Sequence, residues 1–179
     1  MTKPRLILVT GLPGTGKSTV AEDAARQLGV AILAHDWAMS GLSPHPEMQR
    51  ALDAMEPSGH GAVGWSILRA LARSELRRGR SLVLDGVARA AEIELCRQLA
   101  TDEGSTFVVI LVECPDREVH RSRIEGRDRA IPGWHELTWN DVERSRERWS
   151  SPEHVDLRVD STRSPASTRK LLIALLTSE

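Results

Sequence analysis

Gly11-Leu12-Pro13-Gly14-Thr15-Gly16-Lys17-Ser18 is the stretch whose reading decides the fold. It obeys GxxxxGK[ST], the phosphate-binding loop pattern, and each part has a physical task. The glycines let the backbone wrap closely round a phosphate with N–H groups pointing inward. Lys17 supplies a point charge for β- and γ-phosphates, and the Ser18 hydroxyl is placed for Mg²⁺. A helix starting at about Lys17 turns its positive end towards the same anion.

The flanks supply the context that this loop requires. Arg5-Leu6-Ile7-Leu8-Val9-Thr10 is an apolar run that reads as a buried strand, and Ser18 to Leu28 reads as a helix closed by Gly29. Only three lysines occur against 21 arginines, so Lys17 is not background composition. Gly11, Pro13, Gly14, Thr15, Gly16, Lys17, Ser18 and Thr19 are therefore assigned to binding a nucleoside triphosphate.

Working outward, strand and helix signals alternate. Apolar runs at Val30–Ala34, Ser81–Leu84 and Thr106–Val112 read as strands, and Val155–Val159 as a weaker last one. Helices are expected over Pro44–Met55, Ala62–Arg78, about 89–101, Pro115–Arg129, Thr138–Trp149 and Ser167–Leu176, with a loop from Pro57 to Gly61. Strands apolar throughout, with a helix between each pair, predict a parallel sheet covered on both faces. Ligands of such sheets sit beyond the carboxyl ends of the strands, where Gly11, Asp36, Asp85 and Asp160 all fall.

At 179 residues the chain is expected to be one domain, and a net charge of −1 gives no field for nucleic acid or an anionic membrane. Cys96 and Cys114 form no metal spacing and read as buried thiols of a reducing cytoplasm. No run is long enough to cross a bilayer.

Phosphoryl transfer asks for positioning, charge neutralisation and sometimes a base. Asp36 is the candidate base, with a helix-capping aspartate as its alternative. His35 before it is read as packing. Asp85 ends Leu82-Val83-Leu84-Asp85, an apolar-then-acid strand that could hold Mg²⁺ through water or bind the acceptor; which of the two aspartates is the base stays open. Asp160-Ser161 is expected near the nucleotide base. Arg117, Arg121, Arg123, Arg127 and Arg129 crowd one segment, with Arg123 and Arg127 a helical turn apart. They form either a solvated, ion-paired surface or a lid over about 117–135 that sets an arginine against the moving phosphoryl group. Trp37 and Trp65 could line an acceptor pocket or belong to the core, where Trp134 and Trp139 are placed.

Together these residues resemble the small P-loop kinase family, including AAA-like ATP-binding proteins close to polynucleotide 5′-kinase, gluconate kinase and chloramphenicol phosphotransferase. The resemblance rests on Gly11–Ser18, Asp36, Leu82–Gly86 and Arg123-x-x-x-Arg127, and spans nearly the whole chain. It implies a three-layer α/β fold with a five-stranded parallel sheet and a helical lid. It further implies ATP and Mg²⁺, the latter on Ser18 and Asp85, with Lys17, Arg123 and Arg127 serving the phosphates. The reaction implied is transfer to a hydroxyl with Asp36 as base. The polynucleotide kinases carry an arginine three residues after that aspartate, where this chain has Met39. That departure, with the near-neutral charge, favours a small hydroxyl compound over a 5′-hydroxyl polynucleotide, although Arg50 or Arg89 could meet an acidic acceptor. A Ras-type GTPase is excluded by the lack of an NKxD motif, and a ring-forming motor by length. A non-catalytic ATP-binding module is the second class, and monomer and homodimer are equally open.

Overall fold

The computed structural model describes residues 3–55 and 59–177. Its strands are β1 (Arg5–Thr10), β2 (Ala31–Ala34), β3 (Leu82–Asp85), β4 (Thr106–Glu113) and β5 (Leu157–Asp160). Between and after them lie α1 (Lys17–Leu28), α2 (His35–Ser40), α3 (Pro46–Asp53), α4 (Gly59–Arg77), α5 (Ala90–Asp102), α6 (Arg117–Glu125), α7 (Trp139–Glu147) and α8 (Pro165–Thr177). All strand pairings are parallel, in the order β2-β3-β1-β4-β5.

Alternation along β1 creates the three layers. Leu6 and Leu8 face Trp65, Leu68, Ala72 and Leu76 of α4 and Ile93, Cys96 and Leu99 of α5. Ile7 and Val9 face Val20, Ala21 and Ala24 of α1 and Leu172 and Leu176 of α8. Neither face of this strand meets water, which is why it reads as a continuous apolar run. A fully buried leucine or isoleucine contributes about 1.5–3 kcal/mol, so each layer is held by several such residues at once.

Register gathers the site. Val9, Asp85 and Ala34 are partners on adjacent strands. The loop at Gly11, the residues after Asp85, and Asp36 two positions past Ala34 therefore leave the sheet at one end. Burial pushes the Cys96 thiol up to about 12, and both cysteines are free. No helix among the described residues is long and apolar enough to cross a membrane.

Several boundaries differ from the sequence reading. Pro57 and Ser58 of the expected loop lie outside the described residues, whereas Gly59–Gly61 begin α4. His35 and Asp36 open α2 rather than ending a strand; the N-cap is Ala34, so Asp36 does not cap it. The largest difference is α6, which stops at Glu125 instead of running to Arg129. Gly126 ends it, and the Asp128 carboxylate then accepts the Ala130 N–H at 2.9 Å, which folds a turn in place of more helix. Arg123 and Arg127 are thus not two residues of one helical face.

Candidate phosphoryl-transfer site

The loop after β1 is shaped by two glycines in particular. A Cβ on Gly11 would lie 2.2 Å from the Val112 carbonyl oxygen, so the strand end leaves no room for a side chain. Gly16 is the N-cap of α1 with φ 89°, and no side chain caps the helix. The first-turn N–H groups, with the positive end of the helix dipole, are left for an anion. Thr15 faces inward, donating its hydroxyl to the Leu12 carbonyl at 2.9 Å. Buried Thr10 ties the loop's base to the segment after β3 by accepting the Ala88 N–H at 2.9 Å.

Two chambers meet above this loop. The loop chamber, of about 440 Å³, is lined by Gly14, Gly16, Thr19, Arg123, Arg127 and Ser161, with Arg163, Pro165 and Thr168 at its far end. The α2 chamber, of about 430 Å³, is lined by Ile32, Ala34, Asp36, Trp37, Asp85, Gly86 and Ile131, with Glu22 at its rim. Lys17, Ser18 and Arg129 line both. Gly11 and Thr15 face a third cavity behind the loop, with Cys114, His120 and Arg146.

Charge accumulates where the chambers join. Burial lowers the Lys17 pKa from its ordinary value, opposed by the charges of Asp85 and Asp36. Burial raises the Asp85 carboxyl, against the pull of Lys17 and of the Ser18 hydroxyl. Burial also acts to raise Asp36. Hydrogen bonds from His35 and Arg129 and the charge of Lys17 outweigh it and hold Asp36 well below the usual carboxylate range. His35 Nδ1 donates to one Asp36 oxygen at 3.4 Å, and Arg129 pairs with the other. His35 also packs against Trp65, so its expected packing role is joined by a polar one.

The arginines divide their work. Arg123 donates to the Ser161 hydroxyl and carbonyl, both at 2.8 Å, which straps α6 to the end of β5. Arg127 and Arg129 share Glu136, each with Nε 3.6 Å from it. Burial and the neighbouring Arg129 charge lower the Arg127 pKa. The Nε and one terminal nitrogen of each of these two guanidiniums are buried without a hydrogen-bond partner among the described residues. Unsatisfied buried donors carrying positive charge are costly, and a polyanion in the loop chamber would satisfy them. The Asp85 Oδ1 is the complementary case, a buried acceptor without a partner beside Ser18. A hydroxyl and one carboxylate beside a phosphate cradle fit Mg²⁺, which keeps waters and takes few protein ligands.

Not every expected residue arrives. Asp160 turns away from the loop chamber and accepts the Thr162 N–H at 2.9 Å, while Ser161 beside it lines the chamber. Trp65 is 2% exposed, donates to the Val87 carbonyl at 3.2 Å and is core. Trp37 is 56% exposed on the wall of the α2 chamber. Arg50 pairs with Glu47 on the surface, and Arg89 is the N-cap of α5; neither lines the chamber. Met39 is fully buried, and the guanidinium beside Asp36 comes from Arg129, 93 positions away.

Sequence reasoning missed Arg129 as a site residue, having counted it only among the segment's arginines. It also missed His120, which donates from Nε2 to the Pro13 carbonyl at 2.7 Å and accepts from Arg146 at Nδ1. No spacing signals either contact. Ala130, in positive φ at 49°, could have been noticed only from structure. That conformation costs on the order of 1 kcal/mol and lies between Arg129 and Ile131, which both line the α2 chamber.

A family model described as an AAA domain matches residues 6–151, and the chain belongs to that family. A UPF0200 protein of Methanothrix thermoacetophila is 30% identical over 131 residues, spanning 69% of this chain and 67% of its own. Among solved structures, a gluconokinase from Sinorhizobium meliloti has a TM-score of 0.71 at 17% identity, covering 98% of this chain and 93% of its own. The APS kinase of Mycobacterium tuberculosis in complex with AMPPNP and APS has a TM-score of 0.67 at 20% identity, covering 99% of this chain and 100% of its own. The fold is that of P-loop kinases.

Proposed function

We propose that this member of the AAA-domain family is an ATP-dependent kinase that moves the γ-phosphate to a hydroxyl of a small molecule. The observation that carries this reading is the junction of two chambers at Lys17, Ser18 and Arg129, with Asp36 on the side away from the phosphate loop. ATP lies in the loop chamber, its phosphates on the α1 N-terminus and its base end towards Arg163 and Pro165. The acceptor lies in the α2 chamber.

Ser18 and Asp85 would hold Mg²⁺, which when bound neutralises phosphate charge. Asp36 takes the acceptor's hydroxyl proton as the new O–P bond forms and the bond to the ADP oxygen breaks. Lys17, Arg127 and Arg129 offset charge on the moving group. While paired with Arg129, Asp36 is a poor base, because its carboxylate is held far below its ordinary pKa. The triphosphate competes for Arg129, and its departure from Asp36 restores the carboxylate's basicity. The lid of this scheme is α6 with the loop carrying Arg127 and Arg129, and the compartment that suits two free thiols is the cytoplasm.

The test is transfer of label from γ-labelled ATP with Mg²⁺ to a mixed panel of small hydroxyl compounds and 5′-hydroxyl oligonucleotides, beside Asp36→Asn. Label on a small molecule, lost in the variant, supports the kinase. Label on the oligonucleotide moves the acceptor to nucleic acid. One observation favours a second reading, the non-catalytic ATP-binding module: Asp36 is already fully engaged by His35 and Arg129. That reading expects equal ATP binding by both proteins and transfer to nothing.

A further inference from the structure

We infer that the acceptor carries an amine cation as well as its hydroxyl, in the manner of a small amino alcohol or amino sugar. The inference rests on the kinase reading for which group is phosphorylated, but its binding chemistry comes from the chamber itself.

The α2 chamber has two unlike ends. At the phosphate end stand the two cations that line it among the described residues, Lys17 and Arg129. Lys17 lies in the charge field of Asp85 and Asp36, and Arg129 is paired with Asp36 and Glu136. Besides Ser18, Asp36, Asp85 and Gly86, the rest of the lining is Ile32, Ala34, Ile131, the ring of Trp37 and the carboxylate of Glu22. Glu22 makes no ion pair among the described residues, although the helix that carries it holds an ion-paired neighbour, Asp23, bonded to Arg26 and Arg169. An acidic acceptor would therefore bring its charge to Glu22, Asp36 and Asp85, while the free donors of Arg129 are taken by the triphosphate at the other side of the junction.

An ammonium finds the opposite. Glu22 offers an unpaired carboxylate, and Trp37 offers a ring that is the strongest of the aromatic partners for a cation. The exposure of Trp37, unusual for so large an apolar side chain, is then explained by what it covers when the chamber is filled. A volume of about 430 Å³ suits one small ligand and not a polymer segment. The hydroxyl is directed to Asp36 because the cationic end is retained at the rim.

Titration calorimetry with AMPPNP and Mg²⁺ present tests this without requiring turnover. The probes are two matched pairs, glucosamine with glucose and 2-amino-1,3-propanediol with glycerol. The amine member of each pair is expected to bind about tenfold more tightly at pH 7. Glu22→Gln should bring the members of a pair to within about twofold, with AMPPNP affinity and thermal melting retained. Equal binding within the pairs, tighter binding of the neutral member, a preference that survives Glu22→Gln, or binding of neither amine overturns the inference. Should the amine preference hold while γ-labelled ATP transfers nothing to the same compounds, the kinase reading fails and the cation site stands.

Discussion

The two chambers meet at the same lysine and yet are made differently. The loop chamber has one wall from the contiguous segment Gly14–Asp23, whose ligand groups are backbone N–H groups, a helix terminus and the Lys17 and Ser18 side chains, with Arg127 and Arg129 brought to it from the loop after α6. The α2 chamber is assembled from α1, β2, α2, the end of β3 and the loop after α6, and its chemistry is entirely in side chains. Backbone recognition tolerates little variation in the segment that supplies it, whereas side-chain recognition can be rewritten position by position. The first chamber should therefore define what all such proteins bind, and the second what this one acts upon.

The sharpest way to break that comparison is Asp36→Asn. If the chambers are separate in function, kcat falls by about 10³-fold while ATP affinity stays within about twofold. A parallel collapse of ATP affinity, read by calorimetry, would show that Asp36 serves the nucleotide after all. Arg129→Gln comes next, because it touches both chambers, with an expected loss of about 10²-fold in kcat. The pH profile separates its two roles. Arg129 holds the Asp36 pKa down before the triphosphate binds, so its removal lets that pKa rise from its depressed position, and the acid limb of kcat/KM, which reports the free enzyme, moves to higher pH. A lower rate with an unmoved limb would confine Arg129 to the phosphates.

A smaller effect concerns Asp85, whose carboxyl burial raises. If Asp85 holds Mg²⁺ as proposed, the ion must displace a proton wherever that carboxyl is protonated, so Mg²⁺-dependent nucleotide affinity should fall by up to about tenfold per pH unit on the acid side. Asp85→Asn should weaken the Mg²⁺ dependence and flatten its pH profile. An identical profile in the variant would place the metal elsewhere.

How much of this was legible without the structure follows the same division. The sheet and its layers could be read because each buried strand carries its own apolar run, and the loop because its eight residues are adjacent. The clustering of Asp36 and Asp85 was legible from strand ends, since register preserves order along a parallel sheet. Arg129 was not, because its place depends on a helix ending at Gly126 and a turn closed by Asp128, and an arginine-rich helical reading runs straight through both. Asp160 stands outside the loop chamber for a related reason: it ends β5 as expected, but a two-residue turn to Thr162 takes its carboxylate. Position along the chain locates a strand's end; the side chain's direction there is settled by the local turn.

His120 qualifies the contrast from the other side. The loop chamber reads as self-contained, but the Pro13 carbonyl within the motif is held by an imidazole 107 positions away, itself seated against Trp139. His120→Phe leaves that buried carbonyl unsatisfied, and should cost about 1–3 kcal/mol of stability and a few-fold in ATP affinity. His120→Gln, which retains a donor, should recover part of both. Burial lowers the pKa of His120 from 6.5, so the folded protein favours the neutral ring. Its contribution is therefore complete above pH 6.5 and is lost as pH falls from there through the lower folded value. Melting temperatures of the wild type should drop over that interval more steeply than those of His120→Phe. Parallel curves would mean that the ring's charge is not felt by the loop, and that the phosphate motif is as independent of its surroundings as its sequence implies.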